Sequence, residues 1–208
     1  MIIAVDGPSA AGKGTLARGI AKALGYHFLD TGSLYRAVGL VMLRQGKSLD
    51  DAVAAAEIAA TLDLASVRDE DLRSEEVAAA ASRISVYPKV RANLLQFQRD
   101  FAARKPGAVL DGRDIGTVVC PNADLKFFVT ASTEIRARRR FDELKARHPD
   151  LSFEQVFEDV QARDERDATR TTAPTAMAED AIMIDTSELD RDEALKAVMD
   201  VVNEHMAG

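Results

Sequence analysis

"IIAVDGPSAAGKGTLARGIAKAL" (residues 2–24) decides the fold. Ile2 to Val5 is a short apolar run that reads as a buried strand, and Lys13 to Leu24 carries apolar residues at helical spacing. Between them GPSAAGKGT (7–15) fills the pattern G-x-x-x-x-G-K in the strand–loop–helix setting that makes it specific. Glycines let successive backbone N–H groups turn inward, and the helix N-terminus adds its dipole, so Gly7, Pro8, Ser9, Ala10, Ala11, Gly12, Lys13, Gly14 and Thr15 read as a phosphate cradle. Lys13 is placed to reach the β- and γ-phosphates of a nucleotide. The strict pattern has Ser or Thr directly after the lysine. Here Gly14 intervenes before Thr15, so the motif argues for nucleotide binding rather than for a Mg²⁺ ligand at Thr15.

Outward from the loop, strand and helix signals alternate. HFLD (27–30) reads as a second strand, and SLYRAVGLVMLRQG (33–46) as a helix with a glycine stop. Residues 50–64, 74–85 and 88–105 read as three more helices, the last opened by Pro88. AVL (108–110), LKFFVT (125–130) and AIMID (181–185) complete five strands. Charged helical stretches span 132–147 and 152–170, hinged at HPDLS, and a last helix covers 190–206. Alternation of this kind predicts one α/β domain over 1–208 with a parallel sheet covered on both faces.

Composition sets limits. Of 208 residues 47% are hydrophobic, enough for a packed core. The net charge of −7 argues against a general nucleic-acid binder, so an anionic partner must be held by local cations. Cys120 is the single cysteine, which excludes an intrachain disulfide and suits a cytoplasmic setting. The N-terminus lacks the basic region of a signal peptide, and no apolar run reaches the roughly 18 residues that span a bilayer. Three histidines and one cysteine make a structural zinc site improbable, and no metal-ligand set is expected. His27 and Cys120 flank apolar runs and read as packing residues.

The remaining chemistry lies in arginines. Arg36, Arg91, Arg113, Arg136, Arg139, Arg140, Arg163, Arg166 and Arg170 stand in separate polar stretches. Phosphoryl transfer asks a protein mainly for positioning and positive charge around the migrating group. Arginines converging from several segments therefore suit a kinase that closes over two anionic substrates. The Asn-Lys-x-Asp motif of switch-type GTPases is missing. AVLDGRDIGTVV (108–119) ends a core strand in Asp111, Gly112, Arg113 and Asp114, which is either a solvated turn or a ligand site at the carboxyl end of a strand.

GPSAAGKGT, DTGSLYRA (30–37), DGRDIGTVV (111–119) and RDERDATR (163–170) resemble, in order and spacing, the four signature blocks of the bacterial cytidylate kinases. The resemblance covers nearly the whole chain. It implies a P-loop nucleoside-monophosphate kinase fold, with a five-stranded parallel sheet, an acceptor-binding region at about 31–104 and a lid at about 132–170. It implies transfer of the ATP γ-phosphoryl group to CMP or dCMP, with Mg²⁺, by a monomer. Residue by residue, Gly7–Thr15 match the ATP loop, and Thr31, Tyr35 and Arg36 match acceptor positions, Arg36 facing the CMP phosphate. Ser82, Arg91 and Asp114 match the cytosine-reading positions. Arg113 and Arg163 match phosphate clamps, so that Lys13, Arg113 and Arg163 form the expected catalytic set. Asp167 and Arg170 match the pair near the pentose, and Arg136, Arg139 and Arg140 fall in the lid, the last two on the ATP side. Many relatives have a longer, strand-containing insert in the acceptor region, for which residues 62–77 leave little room. A kinase for UMP or another small acceptor, and a non-catalytic ATP-binding module, are the competing readings.

Base chemistry agrees with this assignment. Cytosine presents a donor at N4 and acceptors at N3 and O2, so a carboxylate can accept from N4 while arginine and serine donate to the other edge. Uracil reverses the pattern at position 4 and N3. Two points stay open in the residues alone: Tyr35 fits a helix core as well as the acceptor site, and Arg163 and Asp167, at i and i+4, could simply pair with each other.

Overall fold

The computed structural model describes residues 1–146 and 148–207. Five parallel strands, β1 (Ile2–Asp6), β2 (His27–Asp30), β3 (Ala108–Asp111), β4 (Leu125–Thr130) and β5 (Ile182–Asp185), form one sheet in the order β2-β3-β1-β4-β5. β1 is the centre, pairing Ile2 with Ala108 on one side and Ile3 with Leu125 on the other. Its interior residues Ile3, Ala4 and Val5 are fully buried, as expected for a strand covered on both faces.

Among the described residues eight α-helices surround the sheet: α1 (Lys13–Leu24), α2 (Thr31–Arg44), α3 (Ala52–Ala60), α4 (Glu75–Ile84), α5 (Pro88–Ala102), α6 (Thr133–Lys145), α7 (Phe153–Thr169) and α8 (Arg191–Ala207). On one face Leu16 and Ile20 of α1 and Val198 and Val202 of α8 pack on Val5, Phe127 and Val129. On the other, Phe101 of α5 packs on Leu29 and Leu110. Helices α2 to α5 have a core of their own around Leu34, Val38, Met42, Ile84 and Val90. The α6–α7 hairpin encloses a smaller one of Ala137, Leu144, Val156 and Val160.

Local chemistry explains the boundaries. The helix expected over 50–64 is confined to α3, because the Asp51 carboxylate accepts from the Val53 and Ala54 N–H groups and thereby sets its start. α7 begins in a capping box of Ser152 and Gln155. The stretch 62–77 contains two 3₁₀ turns, Leu64–Ser66 and Asp69–Arg73, and no strand. Arg147, the last residue of the helix expected over 132–147, lies outside the described residues. One element was not expected: Ile115–Val119 forms a π-type helical turn directly after Asp114. His27 is exposed rather than packed, although its ring meets Phe101 edge-on at 6.2 Å and bonds the Lys105 carbonyl.

Candidate active site

Asp6, Asp30, Asp111 and Thr186 stand at or just beyond the carboxyl ends of β1, β2, β3 and β5. At the end of β1 the phosphate loop turns so sharply that a Cβ on Gly7, whose φ is +144°, would lie 1.9 Å from the Val129 carbonyl oxygen. No side chain can occupy that position. Gly12 caps α1 in the left-handed region at φ 88°, and its carbonyl accepts from Thr15 and Leu16 at 3.1 Å. The Lys13 ammonium folds back to the Pro8 carbonyl at 3.3 Å and stands 3.8 Å from Asp111. Burial pulls Lys13 down to about 8, and Arg113 adds to the shift, while Asp111 opposes it. Burial likewise raises the Asp111 carboxyl against the pull of Lys13. At 3.8 Å the pair is too loose for attraction to offset the desolvation of both charges.

The sequence-predicted acceptor residues converge beside this loop. Arg36 on α2 pairs with Asp30, and Thr31 donates to the Asp111 carbonyl at 2.8 Å. Asp114 is buried and pairs with Arg91 of α5, while Arg170, just past the end of α7, stands 3.7 Å from its other oxygen. Tyr35 resolves its ambiguity by doing two things: it is buried in the α2–α5 core, and its ring carries the Arg91 guanidinium 5.5 Å from its centroid. Asp167 bonds Arg113 at 3.0 Å and does not form the helical pair with Arg163. Burial pushes the Asp167 carboxyl up, but Arg113 and Arg163 prevail and hold it below the usual carboxylate value.

Arg163 is different. No carboxylate forms an ion pair with it among the described residues, its Nε is buried without a hydrogen-bond partner, and burial together with Arg113 lowers it to about 10. The Ser82 hydroxyl and the Arg170 Nη2 are also buried without hydrogen-bond partners. The Thr117 and Thr175 hydroxyls share that condition elsewhere. Buried polar groups are normally satisfied, so the orphaned donors on Ser82 and Arg163, which line one cleft, mark places where a ligand's acceptors belong. The cleft, about 490 Å³, is lined by Ser9 of the loop, Ser82 and Glu75 of α4, Arg140 of α6 and Arg163 of α7.

The three arginines expected to share one face of α6 diverge. Arg136 is buried in bonds to Asp164 and to the Ser9 and Ala131 carbonyls, so it fastens α6 and α7 to the phosphate loop. Arg139 bonds the Thr186 hydroxyl at 3.0 Å, and that hydroxyl in turn donates to Ala11, which holds Arg139 near the loop. Arg140 reaches across the cleft to Glu75 of α4. The partners Asp30, Glu75, Asp164 and Thr186 escaped the sequence reading. Only Asp30 and Thr186 carry a signal, since each sits at or just beyond the carboxyl end of a strand.

Residues 3–204 match the family model for cytidylate kinase. The chain belongs to the cytidylate kinase family. Among relatives of this kinase, a cytidylate kinase of Azorhizobium caulinodans is 54% identical over 202 residues, covering 97% of this chain and 98% of its own. A cytidylate kinase of Xanthobacter autotrophicus is 52% identical over 208 residues, with complete coverage of both. The crystal structure of an uncharacterized protein from Eubacterium ventriosum shares the fold of the kinase at a TM-score of 0.56 and 13% identity, covering 98% of each chain. Among the described residues no helix of the kinase is long and apolar enough to cross a membrane.

Proposed function

We propose that this chain transfers the γ-phosphoryl group of ATP to CMP and dCMP. An oxygen of the acceptor phosphate attacks the γ-phosphorus, the bond to the β–γ bridging oxygen breaks, and ADP and CDP or dCDP leave. The observation that carries the reading is the pair of orphaned donors on Ser82 and Arg163, which line one cleft together with Ser9 of the phosphate loop.

In this account Gly7–Thr15 hold the ATP phosphates through backbone N–H groups, and Lys13 follows the migrating charge. Arg139 and Arg140 meet the ATP side once the α6–α7 hairpin, the lid, closes over it. Arg36, Arg113 and Arg163 clamp the acceptor phosphate against the γ-phosphate. Neutralising both anions lets them approach in line. Asp114 accepts from cytosine N4 while Arg91 and Ser82 donate to N3 and O2, and Asp167 and Arg170 take the pentose. Thr31 and Tyr35 form the acceptor floor, Tyr35 acting through Arg91. Lid closure excludes water and so suppresses wasteful hydrolysis.

Mg²⁺ fits this site as a partner of the ATP phosphates, because the Asp111 carboxylate stands beside Lys13 and Gly14 of the phosphate loop. Asp111, whose carboxylate lies 2.9 Å from where a Gly14 Cβ would be, is the side chain that would hold it, directly or through water. Bound there, the ion neutralises charge on the β- and γ-phosphates. All the residues invoked belong to one chain, so a monomer suffices. The supply of ATP puts the reaction in the cytoplasm, and no nucleic acid is required.

ADP release measured with CMP, dCMP, UMP and AMP tests the reading. CMP and dCMP should support turnover far above the acceptor-free rate. Equal release with and without acceptor would leave an ATPase or a binding module, and preference for UMP or AMP would reassign the acceptor.

A further inference from the structure

Asp6 is the last residue of the central strand and only 4% exposed. Its two carboxylate oxygens accept separate backbone bonds, from Ile115 N–H and from Gly116 N–H, both at 2.7 Å. Those two peptides open the π-type turn that follows Asp114. The Asp114 carbonyl is itself bonded into the turn, accepting from Val118 at 2.9 Å and Val119 at 3.1 Å. One residue earlier on β1, the Val5 carbonyl accepts from Gly112 at 3.0 Å. The segment carrying Arg113 and Asp114 is thus tied to β1 on both sides, and Asp6 makes the tie that follows Asp114. Asp6 also directly precedes Gly7, so one carboxylate stands between the phosphate loop and the base-reading turn.

No cation is paired with this carboxylate among the described residues. The charged and titratable groups that face it are Asp114 and Asp111, both acidic, and the Cys120 thiol. The Lys126 stem packs beside Gly116, but its ammonium bonds Asp180 and Pro121 instead. Burial pushes Asp6 up to about 7, the two N–H donors pull it back, and Asp114 and Asp111 push the same way as burial. Burying an acid beside two other acids is an unfavourable way to fasten a turn.

We propose that Asp6 is a positioning residue for acceptor-base recognition: its carboxylate fixes the turn that aims Asp114 at the base. The proposal rests on the reading of Asp114 given above. Asn at this position is nearly isosteric, but one of its two ends is a donor and must face a peptide N–H. The turn is then released on one side. Loss of a charge-assisted bond to a buried group is worth about tenfold or more.

The experiment is steady-state kinetics of Asp6→Asn with CMP and UMP. KM for CMP should rise about tenfold or more and the CMP/UMP ratio of kcat/KM should fall at least about fivefold, while KM for ATP stays within about twofold. A merely structural role would raise both substrates' KM together or lower only the amount of active enzyme. Either of those results, or no change, overturns the proposal. Should Asp6→Asn not fold, Asp6→Glu decides: it keeps the charge and displaces both acceptor oxygens, and a CMP/UMP ratio of kcat/KM within about twofold of wild type overturns the proposal. A wild type that does not phosphorylate CMP refutes the functional reading itself, whereas an active wild type with an unselective Asp6→Asn refutes this inference alone.

Discussion

Replacing Asp114 by Asn separates base reading from everything else the acceptor site does. The side chain keeps its shape and loses its charge. In the structure Asp114 is buried, takes the Arg91 guanidinium on one oxygen and has Arg170 3.7 Å from the other. Two arginines that share one counterion would then share a neutral amide. Removing a partner from a buried pair costs about 3–5 kcal/mol. The Asn oxygen still accepts from Arg91, so a smaller stability loss, about 1–3 kcal/mol, is expected. Selectivity changes separately. In the proposed reading the carboxylate accepts from cytosine N4, whereas the Asn amide can turn its NH₂ toward uracil O4. A bidentate base contact discriminates by about 1–3 kcal/mol, so the CMP/UMP ratio of kcat/KM should fall roughly 5- to 150-fold. The assay is steady-state kinetics with both acceptors at saturating ATP. The ratio is taken on one enzyme sample, so the folded fraction cancels and lost stability cannot mimic lost selectivity. A ratio within about threefold of wild type would refute the reasoning.

Lys13→Ala should lower kcat by about 10² or more while CMP affinity, measured by calorimetry, survives, because the lysine serves the migrating phosphoryl group. In the wild type the ammonium is the active form and burial holds it near 8, so kcat/KM for ATP should decline as pH rises through about 8; a flat profile to pH 9.5 contradicts this. The Arg140–Glu75 pair bridges α6 and α4. Hydrogen exchange over 133–169 should slow when a two-substrate analogue binds, and unchanged exchange would remove the lid from the account. Gly7→Ala combines a positive φ of +144° with a Cβ 1.9 Å from the Val129 carbonyl oxygen. Thermal unfolding should show a loss of at least about 3 kcal/mol, and a melting temperature within about 2 °C of wild type would contradict the fit.

The sheet and the phosphate loop were legible because both rest on local rules. The loop needs glycine at Gly7 and Gly12 for geometric reasons, and buried parallel strands announce themselves as apolar runs. Of the four sequence blocks, the first and last supply Ser9, Arg163 and Arg166 to the cleft lining, whereas Glu75, Ser82 and Arg140 lie outside them. What could not be read was pairing. Asp167 was free to choose between Arg163 on its own helix and Arg113 on another element, and the fold selects Arg113. Arg136, Arg139 and Arg140 look equivalent by helical spacing, yet one is buried under the loop, one bonds β5's end and one spans the cleft. The π-type turn at 115–119 depends on Asp6, more than a hundred residues away in sequence, and no local pattern encodes such a bond.

The central claim is that Asp114, Arg91 and Ser82 read cytosine in the cleft beside the phosphate loop. A crystal structure of the CMP complex tests it most directly. The account predicts cytosine N4 within about 3.2 Å of an Asp114 carboxylate oxygen, with the Ser82 hydroxyl and an Arg91 or Arg170 nitrogen bonded to N3 or O2. A cytosine ring bound without contact to Asp114, or CMP seated on the phosphate loop instead, would contradict it.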